Sequence, residues 1–139
     1  AGVSVTVEKI LDFTRKAETE KFWIVEGAGG VLVPLNDTEL MIDLITALNL
    51  PVVVAARSGL GTINHTLLTL AALKTSGARI FGVVMNGDPN EENRRAIERF
   101  GETKVLAQMP NFETLTAEIL RTWAGENLSD FAALVCRNS

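Results

Sequence analysis

Apolar positions along this chain keep two alternating rhythms, one helical and one continuous. Val7, Ile10, Leu11 and Phe13 recur at helical spacing between Thr6 and Lys16, with charges opposite, and predict a surface helix. Phe22 to Val25 is a short unbroken apolar run, the pattern of a strand buried on both faces. From Thr38 to Asn49 the helical rhythm returns through Leu40, Met41, Leu44, Ile45 and Leu48, with Asp37 placed to cap its first turn. Pro51 then opens a strand over Val52 to Ala56. A long helix follows from about Ile63 to Ser76, and Gly77 sits where a left-handed cap belongs. Ile80 to Met85 and Val105 to Met109 are two further strands, separated by a charged helix from Glu91 to Phe100 that ends at Gly101. Glu113 to Ala124 is a helix, and Ser129 to Val135 another short one.

The predicted order is α-β-α-β-α-β-α-β-α with short links. Continuous apolar strands alternating with amphipathic helices imply an α/β fold, a parallel sheet flanked by helices with right-handed crossovers. One α/β domain spanning residues 1–139 is expected, without repeats. Ligands of such sheets bind at the carboxyl ends of the strands.

Three of those ends carry loop chemistry. The first is Val25-Glu26-Gly27-Ala28-Gly29-Gly30. Glycines let backbone N–H groups approach an anion closely, and a carboxylate at a strand tip can hold a divalent cation. The same residues also suit a plain tight turn with a solvated acid at its rim. The second is Arg57-Ser58-Gly59-Leu60-Gly61, continued by Thr62-Ile63-Asn64-His65, where Gly59 to His65 opens a helix. Free N–H groups and the helix dipole make an anion site there, for a small carboxylate or a nucleotide, unless it is a turn with Thr62 as cap. The third is Asn86-Gly87-Asp88-Pro89. The Asn86 amide can donate and accept at once, which suits a purine edge as well as a turn. Pro110-Asn111-Phe112 could wall a base pocket or merely stop a strand. Thr38-Glu39 and the Glu91-Glu92 and Arg94-Arg95 run read as a helix start and a solvated face.

Composition narrows the classes. The net charge of -4 argues against nucleic acid or an anionic membrane as partner, and sparse aromatics (no Tyr) argue against base-stacking platforms. One cysteine, Cys136, allows no disulfide within the chain and fits a cytoplasmic location. A single histidine, His65, with no cysteine pair excludes a zinc site of ordinary kind. Ser58 lies in no nucleophile elbow, so a Ser-His-Asp triad is not expected. No apolar run approaches the roughly 20 residues of a membrane span.

Taken together, Val25-Glu26-Gly27-Ala28-Gly29-Gly30, Pro34-Leu35, Leu50-Pro51-Val52-Val53, Gly59-Leu60-Gly61-Thr62-Ile63-Asn64-His65-Thr66 and Gly82-Val83-Val84-Met85-Asn86-Gly87 resemble the dethiobiotin synthetases of biotin biosynthesis. The likeness runs from about Val3 to Trp123, in matching order and separation. It implies a P-loop NTPase-like fold and an ATP- and Mg2+-dependent cyclo-ligase. Such an enzyme makes the ureido ring of dethiobiotin from 7,8-diaminononanoate and CO2, with ATP converted to ADP and phosphate. By this resemblance Glu26 is a Mg2+ ligand at the nucleotide phosphates, and Gly27, Ala28 and Gly29 contact nucleotide or substrate through their backbones. Asn86 and Gly87 read adenine, Pro110, Asn111 and Phe112 line the base pocket, and Glu118 lies near the nucleoside. Gly61, Thr62, Ile63 and Asn64 hold the substrate's remote carboxylate across a two-fold interface, so a homodimer with shared active sites is implied.

The departures from the family are as informative. Its opening strand, its phosphate loop (GxxxxGKS or GxxxxGKT), its carbamate-holding lysine and its second metal-binding Asp have no counterpart here. No catalytic residue is therefore assigned within this chain. The chain reads as the C-terminal part of such an enzyme, with the phosphate loop expected roughly 90–110 residues before Glu26. The other reading is a non-catalytic or regulatory module that keeps the fold without the phosphate loop.

Overall fold

The computed structural model describes residues 5–16 and 23–128. Its elements are α1 (Val7–Lys16), α2 (Met41–Leu48), β1 (Val52–Arg57), α3 (Thr62–Thr75), β2 (Ile80–Asn86), α4 (Glu91–Gly101), β3 (Val105–Met109) and α5 (Ala117–Asn127). The three strands form one parallel sheet in the order β1-β2-β3. The chain divides into two compact units, residues 1–52 with 68–80, and 53–67 with 81–139. The expected helix over residues 129–135, and Cys136 within it, lie outside the described residues.

In the first unit, α1 packs on α2. Asn36 organises the loop before α2: its side-chain oxygen accepts from the N–H groups of Thr38 (2.9 Å) and Glu39 (3.0 Å). Its amide donates to the Glu39 carboxylate and to the Val5 carbonyl. Glu39 in turn accepts from the Val7 N–H (3.2 Å), which places a carboxylate at the positive end of α1. Glu39 is thus the anchor of a helix 32 residues away rather than the start of its own.

The cap of α2 differs from expectation. Leu40, not Asp37, is its N-cap, and Asp43 reaches back to the Leu40 N–H (2.7 Å), the reciprocal half of a capping box. Asp37 belongs to the Asn36 turn, so the helix begins three residues later than its apolar spacing suggests. Asn49 and Gly77 close α2 and α3 in the left-handed conformation (φ 49° and 76°).

The expected strand over Phe22 to Val25 is not formed by its described part. Trp23, Ile24 and Val25 are irregular and exposed, Ile24 to 94%. A strand exists only through a ladder with a neighbour, and apolarity alone supplies none. Three strands rather than four are therefore present among the described residues. β1 also departs from the both-faces-buried reading: its residues alternate between partly covered and exposed, as on an edge strand.

In the second unit β2 and β3 carry the core, with Val83, Met85 and Val105 fully buried and Ile97 of α4 equally so. β2 pairs with β3 in parallel, Asn86 opposite Met109. Gly82 is required by this packing, since a Cβ there would lie 2.6 Å from Leu106 Cγ. Asn90 caps α4 by accepting from the Asn93 N–H (2.9 Å), and its own N–H donates to Gln108 Oε1 of β3 (2.8 Å). The Glu91, Arg94 and Glu98 face takes part in this network: Glu91 accepts from Gln108 Nε2, and Glu98 from the Val105 N–H. Gly101 is the last helical residue and Glu102 takes the left-handed position. α5 starts at Ala117 behind a Thr116 cap, later than Glu113. Among the described residues no helix is long and apolar enough to cross a membrane.

Candidate functional site

Glu26 and its glycine loop belong to the first unit. Glu26 through Gly30 are exposed. Gly29 and Gly30 adopt φ of 89° and 129°, a turn that L side chains rarely accept, and the Val33 N–H closes it on the Gly30 carbonyl (3.3 Å). The Val33 and Val31 carbonyls then accept from the Met41 and Ile42 N–H groups (2.8 Å each). The loop therefore satisfies the leading amides of α2, and that helix start is not available to an anion. Gly27 lies against Met41, where a Cβ would come within 3.0 Å of its sulfur. Among the described residues no group of three or more His, Cys, Asp or Glu side chains is assembled to hold a metal.

The second unit contains a cleft of about 390 Å³ at the carboxyl end of β1. It is lined by the run from Ser58 to Ile63 and, from the start of α4, by Asn90 and Asn93. Three of the four residues assigned to the substrate carboxylate, Gly61, Thr62 and Ile63, are on its wall; Asn64 follows them, exposed, on the first turn of α3.

The loop geometry explains why this cleft can receive an anion. Gly61 has φ of 86° and turns the chain into α3. The Thr62 N–H is used by the Gly59 carbonyl (3.2 Å) and the His65 N–H by the Gly61 carbonyl (3.1 Å). The N–H groups of Ile63 and Asn64 between them have no acceptor among the described residues. Two free amides at the positive end of a 14-residue helix have the polarity that attracts an anion. No lining residue is charged, and Leu60 and Ile63 make part of the wall apolar. The arrangement therefore favours a small anionic group on an apolar body.

Ser58 ties this wall to its neighbours. Its N–H donates to the Asn86 carbonyl (2.9 Å) and its carbonyl accepts from Asn93 Nδ2 (3.0 Å). The Gly87 N–H donates to the Met109 carbonyl (2.9 Å), so Asn86 and Gly87 lie beside the end of β3 where Pro110 follows. The structure thus brings Asn86, Gly87 and Pro110 to one end of the sheet. Asn111 is exposed and Phe112 half-buried beyond it, and Glu118 is exposed in the first turn of α5. Ser58 belongs to a strand-end loop that the sequence already marks, whereas Asn90 and Asn93 were not legible as lining residues, since they come from the start of α4.

A parallel sheet with glycine-bearing loops at its strand ends is the architecture of nucleotide-binding α/β proteins. The family model described as the AAA domain matches residues 1–119, and the chain belongs to that P-loop NTPase-like family. Within it, the chain is similar to the ATP-dependent dethiobiotin synthetase BioD of Paramagnetospirillum magneticum, 54% identical over 99 residues (71% of this chain, 48% of that protein). The BioD of Lawsonia intracellularis is 52% identical over 98 residues, 70% of this chain and 48% of that protein. The biotin biosynthesis bifunctional protein BioCD of Bordetella avium is 52% identical over 116 residues, 82% of this chain and 25% of that protein. The chain spans about half the length of these BioD relatives.

Proposed function

We propose that this chain is part of an ATP-dependent dethiobiotin synthetase and supplies the substrate-carboxylate and adenine sides of its active site. In the reaction, an amine of 7,8-diaminononanoate adds to CO2 to give a carbamate. ATP phosphorylates the carbamate, and the second amine closes the ureido ring with release of phosphate. The observation that carries this reading is the α3 start. The Ile63 and Asn64 amides are left unpartnered at that start, and Ile63 lines an uncharged cleft with apolar walls, which suits a carboxylate at the end of an alkyl chain.

The remaining roles rest on the resemblance together with placement. Asn86, Gly87 and Pro110 gather at one end of the sheet, consistent with an adenine pocket extended by Asn111 and Phe112, with Glu118 near the nucleoside. Gly27, Ala28 and Gly29 offer an exposed backbone for nucleotide or substrate. Mg2+ demands little of the protein, because one or two carboxylates suffice when phosphate oxygens and waters fill the other positions. A single exposed Glu26 fits that demand, and the ion would supply charge neutralisation at the phosphates.

A homodimer completes the reading. Apolar residues surround α3: Leu70 and Leu73 are buried, yet Leu68 is 62% exposed and Leu60 is fully exposed. A helix apolar on all sides is covered on all sides. A second copy over α3 would let the carboxylate site of one subunit serve the nucleotide of the other. The protein is taken to act in the cytoplasm, on small molecules rather than nucleic acid or membrane.

The test is an assay of the full-length protein carrying this chain with 7,8-diaminononanoate, bicarbonate and Mg-ATP. Dethiobiotin and stoichiometric ADP are expected. Absence of both with a correctly folded protein would overturn the assignment.

A further inference from the structure

The loop from Glu26 to Gly30 is exposed from end to end, so something other than burial gives it its shape. Two of its glycines are seated on the two legs of a single turn. A Cβ on Gly29 would lie 3.0 Å from Val33 Cγ2, and one on Gly27 would lie 3.0 Å from the Met41 sulfur. Val33 stands just before the turn from Pro34 to Leu40, and Met41 just after it. The legs are tied together by the Pro34–Leu40 bridge and by the Met41 N–H on the Val33 carbonyl (2.8 Å). Within the bend, the Leu35 and Asn36 N–H groups both donate to the Glu39 carbonyl (2.8 and 3.3 Å). One side chain holds the rest. Asn36 Oδ1 accepts from the Thr38 and Glu39 N–H groups and from the Thr38 hydroxyl (3.1 Å). Its Nδ2 uses both hydrogens, on the Val5 carbonyl and on the Glu39 carboxylate.

We propose that Asn36 is a positioning residue for the nucleotide: by holding the turn from Pro34 to Leu40, it sets Val33 and Met41 at the separation that presents Glu26 to Gly30 in one conformation. The proposal rests on the nucleotide role given to that loop above. The two ends of the amide do separate work. Oδ1 shapes the turn, and Nδ2 ties it to the chain before α1. The Glu39 side chain shares only the second task, since its carboxylate holds the Val7 N–H. Releasing α1 and releasing the loop are therefore separable by substitution.

The experiment measures ATP and 7,8-diaminononanoate affinity of the full-length protein by calorimetry, with the melting temperature. Amide hydrogen exchange at Val33, Met41 and Ile42 is followed without nucleotide. Asn36→Ala is expected to weaken ATP about fivefold, because the seated loop becomes one conformation among several and apparent affinity falls by its fraction. Exchange at the three amides should quicken, while diaminononanoate affinity stays unchanged. Glu39→Ala frees α1 and leaves the Asn36 oxygen in place. It should lower the melting temperature and leave ATP affinity and the three amides as in the wild type. Asn36→Asp keeps the turn-shaping oxygen and loses both donors. It should bind ATP like the wild type at a lower melting temperature, because a second carboxylate then faces Glu39. Should Asn36→Ala not fold, Asn36→Ser takes its place with a smaller ATP loss, since a hydroxyl makes the same turn more weakly. Unchanged ATP affinity in that variant would count equally against the proposal.

Equal ATP affinity in wild type and Asn36→Ala would overturn the proposal, as would no ATP binding in the wild type. Equal ATP losses in Asn36→Ala and Glu39→Ala would assign the effect to α1, and equal losses in Asn36→Ala and Asn36→Asp would remove the role of the oxygen; either overturns it too. A protein that makes dethiobiotin with Asn36→Ala indifferent refutes this inference alone. A protein whose ATP affinity depends on Asn36 but that makes no dethiobiotin refutes the synthetase reading alone.

Discussion

Glu26 stands in the open, three residues beyond Trp23, with its whole loop exposed. An exposed side chain of this kind contributes little to stability, so its replacement separates chemistry from folding. Glu26→Gln is expected to reduce kcat/KM for Mg-ATP at least about tenfold, the loss of one charge-assisted contact. Its urea midpoint should stay that of the wild type; equal losses of activity and stability would reassign Glu26 to structure. Single residues were unevenly legible in sequence. The glycines at 29, 30, 61 and 77 declared themselves, because a left-handed φ is a demand that glycine alone meets cheaply. Glu39 did not. Its meaning depends on Val7, which chain order does not bring near.

Among the elements, periodicity located the five helices of the described residues to within a few residues, and the apolar runs located β1, β2 and β3. Helix starts were less legible, as α2 and α5 show, because the cap competes with the turn that precedes it. The described end of that run, Trp23 to Val25, shows the deeper limit: the same apolarity that marks β2 yields no strand there, since no neighbour among the described residues pairs with it. β2 is also where packing is least forgiving. Gly82→Ala would drive a methyl into Leu106 of β3, at 2.6 Å from its Cγ. A loss of about 1–3 kcal/mol is expected, read as a lower denaturation midpoint with unchanged slope. An unshifted midpoint would mean that Leu106 moves aside freely.

At the scale of the whole molecule, the carboxyl ends of β1, β2 and β3 gather backbone amides and side-chain amides that the sequence had scattered over about fifty residues of chain. The fold class was legible because alternating rhythms dictate it. The cleft was legible only as a helix start, since its second wall comes from α4. Assembly is the remaining question at this scale. Sedimentation of the full-length protein should give a dimer, and Leu68→Glu, which puts a charge on the exposed side of α3, should give a monomer with little synthetase activity. A monomeric wild type would remove the shared-site scheme.

The carboxylate that Glu39 offers to Val7 carries a last consequence. A ten-residue helix has no independent standing in water. α1 therefore leans on its packing against α2 and on the turn from Pro34 to Leu40, whose Glu39 holds its first amide. Fraying at the amino end of the described chain would be governed from a tight bend some thirty residues downstream, so that the two open and reclose as one cooperative piece.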